Sequence, residues 1–142
     1  MIDRRKFIKS LSSLGISLPL LRAKSFTSTP QSKKMNNPII LCSRGKDWAE
    51  DVLKPGWDIL RKNGSLLDAI EKSANVTELD PRDTSVGYGG LPNEDGVVQL
   101  DASIMYGPNH NCGSVAALEG IKTPSSVARL VMERTDHIHL VA

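Results

Sequence analysis

Aromatic residues are scarce in this 142-residue chain, with two Trp, two Tyr and two Phe. That scarcity disfavours a base-stacking nucleic-acid platform, and it leaves the core to Leu, Ile, Val and Ala. Cysteine is equally sparse: Cys42 and Cys112 allow one disulfide at most, and the sequence leaves open whether they pair or stay as free thiols. Long hydrophobic runs are missing too. The apolar stretch from Leu11 to Leu21 is shorter than the roughly 20 residues a spanning helix needs, so no stable membrane anchor is expected. Beyond residue 34 the chain also lacks excess positive charge. Residues 1–34 hold eight Lys or Arg against one acid, a net +7, while the remainder carries −5. A basic nucleic-acid-binding face on the folded body is thereby excluded. What is present, 39% hydrophobic and 24% charged residues, suits one globular domain and argues against disorder.

The positive charge has a local explanation. Asp3-Arg4-Arg5-Lys6-Phe7-Ile8-Lys9 precedes the weakly apolar stretch, and a polar tract from Thr27 to Lys34 follows it. This resembles a twin-arginine export signal, which divides the chain into a signal and polar linker (1–34) and a folded body (35–142). Export to the periplasm or beyond is the expectation, with cleavage near Ala23. The competing reading, a basic amphipathic first helix, conflicts with Pro19. A chain exported after folding acquires its fold in the cytoplasm, which weakens an automatic disulfide assignment.

The body alternates strand and helix signals. Pro38 to Ser43 reads as a buried strand running into the Arg44-Gly45 loop. Trp48, Val52, Leu53, Trp57 and Leu60 follow at mostly helical spacing, ending at Asn63-Gly64, with Pro55 predicting a kink or a late start. Ser65 is placed as the N-cap of a second helix with Leu66, Leu67, Ile70 and Ala74 as its inner stripe, finished by Asp80-Pro81. The glycine-dense loop Ser85-Val86-Gly87-Tyr88-Gly89-Gly90 and the turn Asn93 to Gly96, suited to a hairpin, lead to a half-buried strand with Val98, Leu100, Ala102 and Ile104 on one face. Ser114 to Leu118 is a further apolar run. Thr123-Pro124 opens a helix with Val127, Leu130 and Val131 inward, and His137 to Ala142 has strand character. The fold class is α/β or α+β, without internal repeats.

Taken in order, Leu66 to Glu71, Ser85 to Gly90, Leu100-Asp101-Ala102-Ser103-Ile104-Met105, Cys112 to Ala116, Ile121-Lys122, Ser126 to Arg129, Val131 to Thr135 and His139 to Val141 resemble the N-terminal part of glycosylasparaginases. The resemblance covers roughly residues 37–142 and is nearer to that branch than to the isoaspartyl peptidases and plant-type asparaginases. It implies part of an αββα four-layer sandwich of the N-terminal nucleophile hydrolase type. It also implies hydrolysis of an asparagine side-chain amide by a threonine that self-cleavage exposes in a His-Asp-Thr motif. That motif does not occur in these residues, so no catalytic residue is assigned here, and activity is expected to need a C-terminal portion. The alternatives are a non-catalytic remnant, or a subunit whose nucleophile resides on a separate partner. Isoaspartyl peptidase or asparaginase specificity is the further possibility for the complete protein. No cofactor and no metal are implied, and the small-molecule substrate is an asparagine-linked amide.

Within this half the substrate-facing candidates are Ser43 and Arg44. The family's Ser-Thr-Trp after the first strand is replaced by Cys42-Ser43-Arg44, so an apolar wall becomes cationic and suits a carboxylate. Ser85, Gly87, Gly89 and Gly90 are the structural loop beneath the site. That loop lacks the Lys-Ser/Thr of a phosphate-binding loop. Asp83-Thr84 is the only Asp-Thr pair, but it leads into the glycine loop instead of a core strand, so it is read as a decoy for the scissile bond. His110, Cys112, His137 and His139 match no common zinc spacing. Asp68, Glu71 and Asp101 read as a capping acid and solvated faces. Tyr106, where the family commonly has an acid, has no functional assignment.

Overall fold

The computed structural model describes residues 37–142. The expected export signal and its polar linker lie outside the described residues. Among the described residues three helices, α1 (Lys46–Arg61), α2 (Leu66–Glu78) and α3 (Pro124–Arg134), accompany three strands, β1 (Leu100–Tyr106), β2 (Asn111–Leu118) and β3 (His139–Val141). A 3-10 turn occupies Gly87–Gly89.

Local chemistry accounts for the helix ends. Ser65 Oγ accepts the Asp68 amide at the start of α2, as expected of an N-cap. Helix α1 closes where Asn63 adopts φ 57° and the Gly64 amide reaches back to Ile59 O at 2.9 Å, beside the Lys62 amide that bonds the same carbonyl at 3.1 Å. It begins at Lys46, well before Pro55, so the late start does not occur.

Strands β1 and β2 form an antiparallel pair, and β3 joins β2 in parallel after the crossover through α3, giving the order β1-β2-β3. Leu100 and Ile104 of β1 point inward with Gly113 and Val115 of β2. Ile104 and Val115 meet a core of Leu67 from α2 with Ala128, Val131 and Met132 from α3. Gly113 makes this packing possible. A Cβ there would collide with Ala128 O and lie 2.5 Å from Met132 N, so α3 rests directly on the strand backbone.

Several expectations are corrected. Pro38 to Ser43 is not a buried strand: the segment is extended, with Ile40 turned inward against Gly56, but Ile39 and Leu41 are 78% and 85% exposed. Among the described residues no strand lies beside it to complete a ladder, and a strand is defined by its neighbour. On α2, Leu66 and Ile70 are exposed while Ser73, Asn75, Thr77 and Glu78 are buried: Ser73 packs against Gly56 of α1, and Asn75 and Glu78 meet Ser125 and Ser126 at the start of α3. On α3 the inner residues are Ala128, Val131 and Met132, and Leu130 is exposed. The Asn93 to Gly96 turn forms, with Gly96 N bonded to Asn93 O, but no paired strands flank it. Cys42 and Cys112 are free thiols.

Asp68 and Glu71 are not merely solvated. Arg129 of α3 bridges Asp68 at 2.7 Å and Glu71 at 2.6 Å, and it reaches Glu133 on its own helix at 2.8 Å. Ser126 Oγ donates a further 2.6 Å bond to Glu71. Burial pushes the Glu71 carboxyl upward, but these hydrogen bonds and the Arg129 charge outweigh it and leave the group below its ordinary range.

Candidate functional site

The segment after α2 must turn sharply before it enters β1, and its residue types dictate how. Asp83 makes an Asx turn: its Oδ1 accepts the Ser85 amide at 2.9 Å and the Ser85 hydroxyl at 2.6 Å. Gly87 then takes φ 62° with its Cα pressed on the backbone of Glu78, where any Cβ would collide with Glu78 O. The glycine loop is thereby seated on the end of α2.

Arg44 arrives from the other side. Its Nη1 meets Asp83 Oδ2 at 2.6 Å, and its Nη2 donates to Ser85 Oγ at 2.9 Å. Arg44, Asp83 and Ser85 therefore close a ring of hydrogen bonds that ties the extended segment to the glycine loop. The Asp83 side chain is only 3% exposed, against 33% for Arg44. Burial raises the Asp83 pKa, but the two bonds from Ser85 and the adjacent guanidinium prevail and hold it below the usual carboxylate range.

This ring borders a cleft of about 450 Å³, whose walls include Arg44, Ser85, Gly87, Thr77, Glu78 and Asp101. Glu78 is buried yet fully engaged. It accepts the Ser125 amide and the Ser125 hydroxyl, both at 2.9 Å, and the Asn75 side-chain amide at 2.9 Å. Its carboxylate thus satisfies the N-terminus of α3, where Thr123 supplies no side-chain cap. Asp101 accepts the Ala117 amide at 2.9 Å, across a register shift between Leu100 and Ala102 that puts Ala117 at φ 53°.

Of the residues singled out from sequence, Arg44, Ser85 and Gly87 come together at the cleft. Ser43 is exposed beside Arg44 and, like Gly89 and Gly90, is not part of the cleft wall. Asp83, which the sequence marks only as half of an Asp-Thr pair, is the buried counter-charge of the site. The Asp-x-Ser spacing of an Asx turn was the signal for it. The bond between Asp83 and Thr84 lies in a bend between α2 and the 3-10 turn, outside any strand. Tyr106 packs against the core. His139 Nδ1 contacts Ser114 Oγ at 2.7 Å. Among the described residues no group of three or more His, Cys, Asp or Glu is arranged to hold a metal ion.

Comparison with known proteins follows the same residues. The asparaginase family model matches residues 37–142. An N(4)-(beta-N-acetylglucosaminyl)-L-asparaginase of Elizabethkingia miricola is 46% identical over 141 residues, covering 98% of this chain and 41% of that protein. A plant-type L-asparaginase of Pyrococcus horikoshii is 49% identical over 86 residues, 61% of this chain and 28% of its own length. An isoaspartyl peptidase/L-asparaginase of Bos taurus is 45% identical over 85 residues, 60% of this chain and 27% of its own length. The chain thus spans less than half the length of each of these relatives. It belongs to the asparaginase family, and its similarity to the glycosylasparaginase extends over almost its whole length.

Proposed function

We propose that this chain is the N-terminal portion of an exported amidohydrolase that cleaves the side-chain amide of asparagine or glycosylated asparagine. The threonine nucleophile is supplied by sequence beyond these 142 residues. One observation carries the reading: 46% identity runs through 98% of this chain yet accounts for 41% of the glycosylasparaginase it matches. Export rests on Arg4-Arg5-Lys6-Phe7 and the weakly apolar stretch behind it.

The fold supports a role as scaffold and pocket wall within a two-sheet sandwich. One face of the β1-β2-β3 sheet carries α3, while Met105 and Val141 on the strands remain 69% and 67% exposed. Ile39 and Leu41 present a further apolar edge. These surfaces suit a second sheet provided by the C-terminal portion. In the complete protein the threonine hydroxyl attacks the side-chain amide carbon while its own α-amine takes up the proton, the C–N bond breaks as that proton passes to the departing nitrogen, and water then hydrolyses the acyl-enzyme to free aspartate. Arg44 and the Ser85–Gly90 loop shape one wall of the pocket, with Ser43 beside them, and no cofactor enters the reaction.

The test is hydrolysis of aspartyl-β-naphthylamide, with intact mass recorded on the same sample. The 142-residue chain alone is expected to be inactive and uncleaved. Co-production with a downstream or separately encoded portion bearing His-Asp-Thr should restore turnover. Turnover by the chain alone, above all with a mass loss at Asp83-Thr84, would overturn the assignment. Inactivity with every such portion would leave a non-catalytic remnant. Relative rates on glycosylated asparagine, asparagine and β-aspartyl peptides then separate the three substrate classes.

A further inference from the structure

The Arg44 wall invites a carboxylate when the residue is considered alone, but its surroundings oppose one. Its neighbour Asp83 sits 2.6 Å away with a side chain 97% removed from solvent, so the guanidinium separates a buried carboxylate from the cleft. Two of the five N–H donors of an arginine are already committed, to Asp83 and Ser85. Arg44 is the one cation among the described residues that line the cleft, and Glu78 and Asp101 are both anions. Counting Asp83 behind it, the local charge is negative. A carboxylate entering here shares one guanidinium with Asp83 and faces two further acids. An uncharged oxygen accepts from the remaining donors with no such repulsion.

We propose that Asp83 is a specificity-determining residue: by cancelling the charge of Arg44 it reserves this wall for uncharged oxygens and turns away carboxylates. Resting on the amidohydrolase reading above, this makes the Arg44 wall a subsite for an uncharged part of the substrate, in preference to a part that carries a carboxylate. Asp83 acts through Arg44 and touches no reacting atom.

The test uses the 142-residue chain and two simple probes, acetate and acetamide, followed by NMR at the Arg44 side-chain N–H and the Ser85 amide. In the native chain acetate should leave both signals in place at concentrations where acetamide moves them. Asp83→Asn keeps an oxygen for the Ser85 bonds but frees the Arg44 charge. Acetate should then bind saturably and at least about tenfold more tightly, an effect lost in the Asp83→Asn, Arg44→Met double variant. If Asp83→Asn loses its dispersed spectrum, Asp83→Ser replaces it in the same titration. Acetate binding to the native chain as tightly as to the variant, or a folded variant with no gain, overturns the proposal. Neither arm reads hydrolysis, so this result and that of the amidase assay stand or fall separately.

Discussion

Single residues set the tolerances of this unit. Gly113 is the clearest case, since α3 lies on its Cα and a methyl group there would meet Ala128 O. Gly113→Ala should cost about 1–3 kcal/mol, because helix and strand have to separate, and urea unfolding checks it as a lower midpoint at unchanged slope. The need for a glycine at 113 is invisible locally: Cys112-Gly113-Ser114 gives no turn signal, and only the helix arriving from residues 124–134 explains it. Arg44 and Asp83 show the same limit. Each was noticed for its neighbours in sequence, whereas their pairing depends on a return of the chain that no local pattern encodes. By contrast, Ser65 and Thr123-Pro124 announced their helix starts, because caps and N-terminal proline act within one turn.

At the level of elements, the contact between α2 and α3 is built as much from polar groups as from apolar ones. Arg129 joins Asp68, Glu71 and Glu133, while Asn75 and Glu78 engage Ser125 and Ser126. This is why periodicity misplaced the faces of α2. The rule that apolar residues turn inward selects Leu66 and Ile70, but serines at the start of α3 draw Asn75 and Glu78 inward, and Ser73 is buried against Gly56 of α1. The Glu71 and Asp83 carboxyls both titrate below their ordinary values of 4.5 and 3.8. A depressed carboxylate contributes stability that is complete above its unfolded pKa and lost as pH falls through the folded one. Thermal midpoints should therefore decline as pH drops below these values. Arg129→Met should lower stability near neutrality by about 2 kcal/mol, reduced from a fully buried pair by the half-exposed Asp68, and it should flatten the part of the decline that comes from Glu71.

For the whole molecule, the mixed α/β class and the order of elements were legible in the sequence, apart from the first strand. Pro38 to Ser43 has strand composition but no partner among the described residues, so its exposure alternates without a ladder. The surfaces left open, Ile39, Leu41, Met105 and Val141, have a collective consequence. The isolated chain should associate with rising concentration, seen as an increasing sedimentation coefficient, and Met105→Lys with Val141→Lys should suppress it. A monodisperse native chain at every concentration would refute that expectation.

The strand order also carries a temporal meaning. The β1-β2 hairpin and the β2-α3-β3 crossover use consecutive stretches of chain, each strand beside the next. The hairpin closes over a short turn and is kinetically favoured, whereas the parallel pairing of Ser114 with His139 closes over 25 positions. The bond from Arg44 to Ser85 instead spans 41 positions. During synthesis Arg44 leaves the ribosome well before its partners exist, and the sheet that backs the loop is completed later still. The wall of the cleft is consequently among the last parts of the unit to take shape, and a chain stalled before residue 85 can form α1 and α2 but has no means of fixing Arg44.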